Sequence, residues 1–330
     1  MSRKLVTVVT PCYNEEGNAE ALYLAVRDVF AKLPQYEYRH LFIDNASKDG
    51  TRGILRRLAA QDPNVQVILN ARNFGQIRSP FHGIVEARGD AVIAMACDFQ
   101  DPPELIPRFL ELWEQGYLVA MGVKESAEEH SFFYTTRSRY YRMLANISAV
   151  DLIPHVTGFG LYDRRIVEHL RAFNDPYPYF RGLLAEMGYE VARVPFKQPL
   201  RRRGVTSQNF YSLYDIAFLG IVSHSKVPLR LATMAGFAMG VLSMLAAFAY
   251  LVAKLLFWQR FELGLAPLLI GFFFMSSIQL FFVGIMGEYI GAIYTQVRNH
   301  PHVFEAERLN LDARDAQRPM GQAQLYAAKG

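Results

Sequence analysis

Two stretches near the C-terminal end, Leu231–Ala253 and Leu263–Gly287, contain no Asp, Glu, Lys or Arg. A helix rises 1.5 Å per residue, so about 20 apolar residues cross the roughly 30 Å of hydrocarbon in a bilayer. Each run is long enough, and that length argues against a pair of buried core helices. The sequence before them is patterned like an ordinary water-exposed α/β domain. The chain therefore reads as a large soluble domain, 1–209, anchored by a two-helix transmembrane hairpin, 229–298.

Charge gives the expected orientation. Arg201-Arg202-Arg203, Lys226 and Arg230 precede the first run, and Arg298 follows the second. Lys254 and Arg260, in or beside the intervening loop, weaken the bias. The positive-inside rule then puts both ends in the cytoplasm. Cys12 and Cys97 are the two cysteines, a count that fits a reducing compartment and no disulfide framework. Ser2-Arg3-Lys4 leads straight into apolar Leu5–Thr10, so no secretory leader is expected. The net charge of +4 is small for 330 residues, and no nucleic-acid partner is expected.

The soluble part alternates. Strand patterns at Leu5–Thr10, Tyr38–Ile43, Val65–Leu69, Ala91–Met95 and Leu118–Gly122 are separated by helix patterns at Asn18–Lys32, Thr51–Ala60, Ile77–Ala87 and Pro103–Gln115. Such alternation implies right-handed crossovers and a mostly parallel sheet. No G-x-G-x-x-G follows the first strand, which removes the main support for a dinucleotide site. Ser131–Val150 reads as a helix bearing Arg137, Arg139 and Arg142. Phe210, Leu213, Tyr214, Ala217 and Ile221 recur at helical spacing, which suits an interfacial amphipathic segment, 210–228, or a plain amphipathic helix docked on the soluble domain. The polar tail, 299–330, is expected to be cytosolic and poorly ordered after Pro301.

Chemistry concentrates at Met95-Ala-Cys-Asp-Phe-Gln-Asp-Pro-Pro103. The run closes a strand and opens a helix, so Asp98, Gln100 and Asp101 fall on a turn at a strand's C-terminal edge, where open α/β sheets bind ligands. Hard oxygen donors there suit Mg²⁺ or Mn²⁺ held together with a diphosphate. Taken alone, the run is equally well an acidic Asp/Pro-rich surface turn.

Three more loops decide between these readings. The first strand ends in Thr10-Pro-Cys-Tyr-Asn-Glu-Glu16, the second in Ile43-Asp-Asn-Ala-Ser-Lys-Asp-Gly-Thr51, and the third leads into Arg72-Asn-Phe-Gly-Gln76. With these four motifs in this order, the chain resembles the inverting GT-A glycosyltransferases. Among them it resembles the polyprenyl-phosphate enzymes, such as prophage-type glucosyl transferases and dolichyl-phosphate mannose synthase. Gly287-Glu-Tyr-Ile-Gly291, followed by Ile293, Tyr294 and Arg298, is similar to the closing motif of the two-span bacterial members.

The resemblance implies a GT-A, Rossmann-like domain that transfers a sugar, glucose or a relative, from a UDP-sugar to undecaprenyl phosphate. Pro11, Tyr13, Asn14 and Glu15 would wall the base and ribose, with Asp44 accepting hydrogen bonds and Asn45 beside it. Asn73 and Gln76 would lie near the sugar diphosphate. Asp98, with Gln100, would hold the metal, while Asp101 would orient the turn. Arg201 would bind the acceptor phosphate, supported by Thr206 and Ser207, with Arg137 and Arg139 as secondary candidates. An inner-membrane, multi-pass location with a cytoplasmic catalytic domain is implied, as is a homo-oligomer, a tetramer by analogy. Gly236-Phe-Ala-Met-Gly240 is a small-residue pattern that fits helix association.

Two positions depart from the family pattern. Ala96 stands where an acid often precedes Asp98, and Gly158 stands where many relatives carry an Asp proposed as base, in the loop Val156–Arg164. Asp163 aligns with a different, structural acid. A phosphate monoester, with a second pKa of about 6, is its own nucleophile at neutral pH. A hydroxyl acceptor benefits from a base. Transfer to a glycan or lipid hydroxyl, and a scaffold that has lost turnover, are the rival readings.

Overall fold

The computed structural model describes residues 3–124, 156–173, 175, 178–199, 227–256, 265–297 and 301–311. The helix read at Ser131–Val150 and the amphipathic segment Phe210–Ser223 lie outside these residues, as do Arg137, Arg139, Arg201, Thr206 and Ser207.

The sheet has eight strands. In chain order they are β1 (Lys4–Cys12), β2 (Tyr36–Asp44), β3 (Val65–Asn70), β4 (Ala91–Ala94), β5 (Val119–Lys124), β6 (Val156–Asp163), β7 (Val191–Phe196) and β8 (Glu305–Leu309). Helices α1 (Ala19–Ala31), α2 (Thr51–Gln61), α3 (Gly75–Glu86), α4 (Ile106–Glu114), α5 (Arg164–Ala172) and α6 (Phe180–Glu186) connect or follow them. The order across the sheet is β7-β5-β6-β4-β1-β2-β3-β8. β1 pairs in parallel with β2 and β4, β2 with β3, and β5 with β7. β6 and β8 pair antiparallel with their neighbours.

β1 is central, and its run Leu5–Thr10 is buried throughout, as a strand covered on both faces must be. Its polar members are paired inside: Thr10 Oγ1 lies 3.0 Å from His40 Nε2. Burial lowers the His40 imidazole to about 3, so it stays neutral. One face of the sheet packs on α1, α2 and α4 through Leu22, Val26, Leu55 and Phe109. The other packs on α3, α5 and α6 through Phe81, Ile84, Ile166 and Leu183. α3 approaches the sheet closely at Gly83, where a Cβ would sit 2.9 Å from Val9.

The chain winds outward from β1 to β3 and then returns to β4 on the other side of β1. That reversal opens a crevice beyond the C-terminal ends of β1 and β4, the place where such sheets take ligands.

Two elements depart from the sequence reading. Val156–Asp163 is a strand between β4 and β5, not a loop. A glycine-interrupted strand with an antiparallel register carries little local signal. Residues 301–311 are also ordered: β8 pairs with the edge strand β3, and Asn310 Nδ2 donates to the carbonyls of Ala59 and Val65. The polar look of Glu305–Arg308 reflects an edge strand, where charges are normal.

Helices α7 (Val227–Leu256) and α8 (Leu265–Val297) contain windows, Leu229–Ala246 and Ile270–Tyr294, long and apolar enough to cross a membrane. The rest of the described chain buries none of either window. Phe237, Phe248, Phe273 and Phe281 project outward, an apolar surface suited to lipid rather than water.

Candidate active site

The loops after β1 and β2 are stitched to each other. Asn14 N–H donates to Ser47 Oγ at 2.8 Å, and Lys48 N–H donates back to Asn14 Oδ1 at 2.9 Å. Glu15 N–H reaches Thr51 Oγ1 at 2.8 Å, and Gly50 N–H reaches Glu16 Oε2 at 2.7 Å. Asn14 and Ala46 hold the tight geometry with positive φ, 58° and 62°. Tyr13 and Pro11, both partly exposed, are presented on the resulting wall.

Asp44 ends β2 with no exposed surface. Its Oδ2 accepts from Arg52 Nε at 2.7 Å and from Ser47 N–H at 3.1 Å. Arg52 also donates to the carbonyl of Asn70, at 2.5 Å. In this structure Asp44 therefore braces the β2 and β3 loop ends from below. Asn45 continues the brace: its Nδ2 donates to Asn73 Oδ1 at 2.9 Å, and its Oδ1 accepts from Phe74 N–H at 2.8 Å. Asn73 and Gln76 are exposed at the head of α3.

The turn after β4 is built on Asp101. Its Oδ2 accepts from Ala96 N–H at 2.8 Å, and burial pushes its carboxyl up to about 6. Phe99 sits at φ 62°, a strained setting for an aromatic residue. Asp98, 5% exposed, accepts from Gln100 N–H at 3.1 Å.

A cavity of about 330 Å³ lies in the crevice. β1 and α3 supply Pro11, Gln76, Ile77, Pro80 and Phe81. The β4 end supplies Met95, Ala96 and Asp101, and the far side is Gly158, Phe159 and Pro178–Arg181. Gly158 has φ 94°, and a Cβ there would meet only Phe180 Cδ1, at 3.9 Å. Space exists for a side chain, but the backbone favours glycine. Asp163, by contrast, is structural. It caps α5 by accepting from Arg165 N–H at 2.9 Å and also accepts from Trp113 Nε1 at 2.8 Å. Burial alone would raise its carboxyl, yet bonds from Arg165 and Trp113 outweigh that and lower it.

The structure thus brings Pro11, Gln76, Ala96, Asp101 and Gly158 to one cavity, with Asp98 and Gln100 on the adjoining turn. Arg52 and the segment Pro178–Arg181 escaped the sequence reading. The run Pro178-Tyr-Phe-Arg181 was the available signal, since two aromatics and an arginine after prolines are unusual for a plain loop.

The family model described as Glycosyl transferase family 2 matches residues 7–171. The SfII prophage-derived bactoprenol glucosyl transferase of Shigella flexneri is 32% identical over 297 residues, covering 90% of this chain and 96% of that protein. The uncharacterized glycosyltransferase YkcC of Bacillus subtilis is 33% identical over 304 residues, covering 91% and 93%. The prophage bactoprenol glucosyl transferase homolog of Escherichia coli is 30% identical over 297 residues, covering 90% and 96%.

Proposed function

The chain belongs to glycosyl transferase family 2 and is a membrane-associated GT-A glycosyltransferase, and from that premise we propose that it moves a sugar, glucose or a close relative, from a UDP-sugar to undecaprenyl phosphate. Transfer proceeds with inversion, giving the lipid-linked monosaccharide and UDP.

The observation that carries the acceptor class is Gly158. The cavity's far wall has a glycine where a base is expected in relatives that have one, and its φ of 94° disfavours a replacement. A lipid phosphate tolerates this, because it is largely ionised at neutral pH, with a second pKa of about 6. The remaining demands are positioning and stabilising the departing diphosphate. Pro11 and Tyr13 then face the nucleotide, and Gln76 faces the sugar diphosphate. Asp44 and Asn45 keep the loops in register. The names of the two prophage-type relatives support the polyprenyl acceptor and the glucosyl group.

The donor set fits a divalent cation that arrives with its substrate. Among the described residues no group of three His, Cys, Asp or Glu gathers. Mg²⁺-type ions are commonly held by one or two carboxylates plus substrate phosphates, keeping several waters. Asp98 and Gln100 would hold such an ion. Bound there, it would neutralise charge on the leaving diphosphate. Asp101 keeps the turn in shape for both.

Both long helices cross the inner membrane in this reading, with the catalytic domain in the cytoplasm. Arg201, Thr206 and Ser207 meet the acceptor phosphate where the soluble domain reaches the headgroups, aided by Arg137 or Arg139. A Cβ added at Gly236 or Gly240 would meet nothing within 4 Å among the described residues, which leaves a helix face open for a homo-tetramer. One feature favours a hydroxyl acceptor instead: the Asp101 carboxyl lies on the cavity wall.

A panel of nucleotide sugars with undecaprenyl phosphate in detergent, read by product mass, tests the proposal. A hexosyl-phosphoryl-undecaprenol formed from a UDP-sugar is expected. UDP release that depends on a hydroxyl acceptor and ignores polyprenyl phosphate would overturn it.

A further inference from the structure

We infer that His302 and Phe304, just beyond the second membrane helix, are positioning residues for the nucleotide-sugar pocket, an inference that rests on the donor reading above. α8 ends at Val297, and β8 begins at Glu305. Of the stretch between them, residues 301–304 are described, and His302 and Phe304 lie against α3, the helix that lines the cavity with Gln76, Ile77, Pro80 and Phe81.

Contacts run the length of that helix. At its head, the Phe304 carbonyl accepts from Ala71 N–H at 2.8 Å, and the Phe304 ring lies 6.2 Å from Phe74. Phe74 is the residue whose N–H is held by Asn45. One turn past the cavity-lining Ile77, the His302 ring stands edge-on to Phe81 at 5.0 Å, and Phe180 meets Phe81 edge-on at 6.4 Å. Phe81 is thus packed between the tail and the far cavity wall. Further along, His82 Nε2 lies 2.5 Å from Glu305 Oε1, and Arg308 pairs with Glu86 at 2.9 Å.

α3 needs this outside support. Pro80 lies inside it and removes one backbone donor from the helical ladder, which loosens the first turn, where Gln76 sits. Gly83 sets how close the helix lies to the sheet but does not stop it sliding. His302 and Phe304 do so with two rings, one at each end of the weakened turn. In the sequence they follow α8 within a few residues, so they sit close to the membrane anchor along the chain.

The test uses the full-length enzyme in detergent. The wild type is first titrated with UDP and with GDP, which judges the donor reading by itself: if neither binds, that reading falls and this one with it. The nucleotide that binds is then titrated into His302→Ala and Phe304→Ala. Loss of an aromatic contact predicts about three- to ten-fold weaker binding and a matching rise in donor KM. Acceptor KM should stay within about two-fold. Phe304→Tyr, which keeps the ring, should restore binding. Glu307, on β8, pairs at 2.7 Å with Arg56 of α2 rather than with α3, so Glu307→Ala should bind nucleotide like the wild type. Should Phe304→Ala not fold, Phe304→Leu gives the same reading. Wild-type nucleotide binding in both His302→Ala and the Phe304 variant overturns the inference. So does an equal loss in Glu307→Ala, which would make the effect one of strand docking in general.

Discussion

The carboxylate of Asp101 accepts a hydrogen bond from the backbone N–H of Ala96 at 2.8 Å, closing the turn that carries Asp98. Asn can accept the same bond and Ala cannot. Asp101→Asn should therefore keep most of the turnover, while Asp101→Ala should lose at least about ten-fold, the scale of about 1–3 kcal/mol for a buried donor left unpaired. Steady-state kinetics of both variants checks this. Equal, severe loss in both would give the carboxylate a chemical part beyond shaping the turn.

Asp98 is the remaining carboxylate of the expected acidic pair. Asp98→Ala should lower turnover by at least about 10²-fold, as expected for a main electrostatic stabiliser. Near wild-type activity in that variant, together with indifference to excess EDTA, would remove the metal from the reaction.

Asp163 caps α5 and holds Trp113, so its part is structural. Asp163→Asn should retain substantial kcat, and Asp163→Ala should melt lower by the equivalent of about 1 kcal/mol for the lost cap. The wild-type rate should level off above about pH 6, where the acceptor phosphate is ionised. Near-total loss of kcat in folded Asp163→Asn would contradict this assignment.

Glu305 offers a pH test of the tail. Burial would raise its carboxyl, but hydrogen bonds from His82 and Arg308 outweigh it and hold it at about 2, below the ordinary 4.5. A depressed acid stabilises the fold above its unfolded pKa and loses that contribution as pH falls. The melting-temperature gap between wild type and Glu305→Gln should thus be full above about pH 4.5 and close as pH drops toward 2. A gap that does not change with pH would show that the carboxylate is not held by charge.

Arg201 is proposed at the acceptor phosphate. A charge-assisted bond of roughly 1.5–3 kcal/mol implies that Arg201→Ala raises the polyprenyl-phosphate KM by about ten-fold or more. Lys should rescue only in part, since it lacks the bidentate fork. Weaker UDP binding with an unchanged acceptor KM would move Arg201 to the donor and leave Arg137 and Arg139 for the acceptor.

Sequence alone determined the features that depend on neighbours in the chain. The strand-helix alternation up to β5, the four loops at strand ends and the two membrane runs are all local patterns, set by side-chain period and length. Only the tertiary structure decided what depends on residues far apart. Asp44 pairs with Arg52, eight positions later, because the loop folds back beneath it. Asp163 is structural because Trp113, fifty positions earlier, reaches it. β8 exists because the exposed edge of β3 offers unpaired backbone groups to a polar segment that has no hydrophobic pattern of its own. The cavity that joins Gln76 to Gly158 and Arg181 follows from the sheet's reversal beside β1, which no local stretch of sequence encodes.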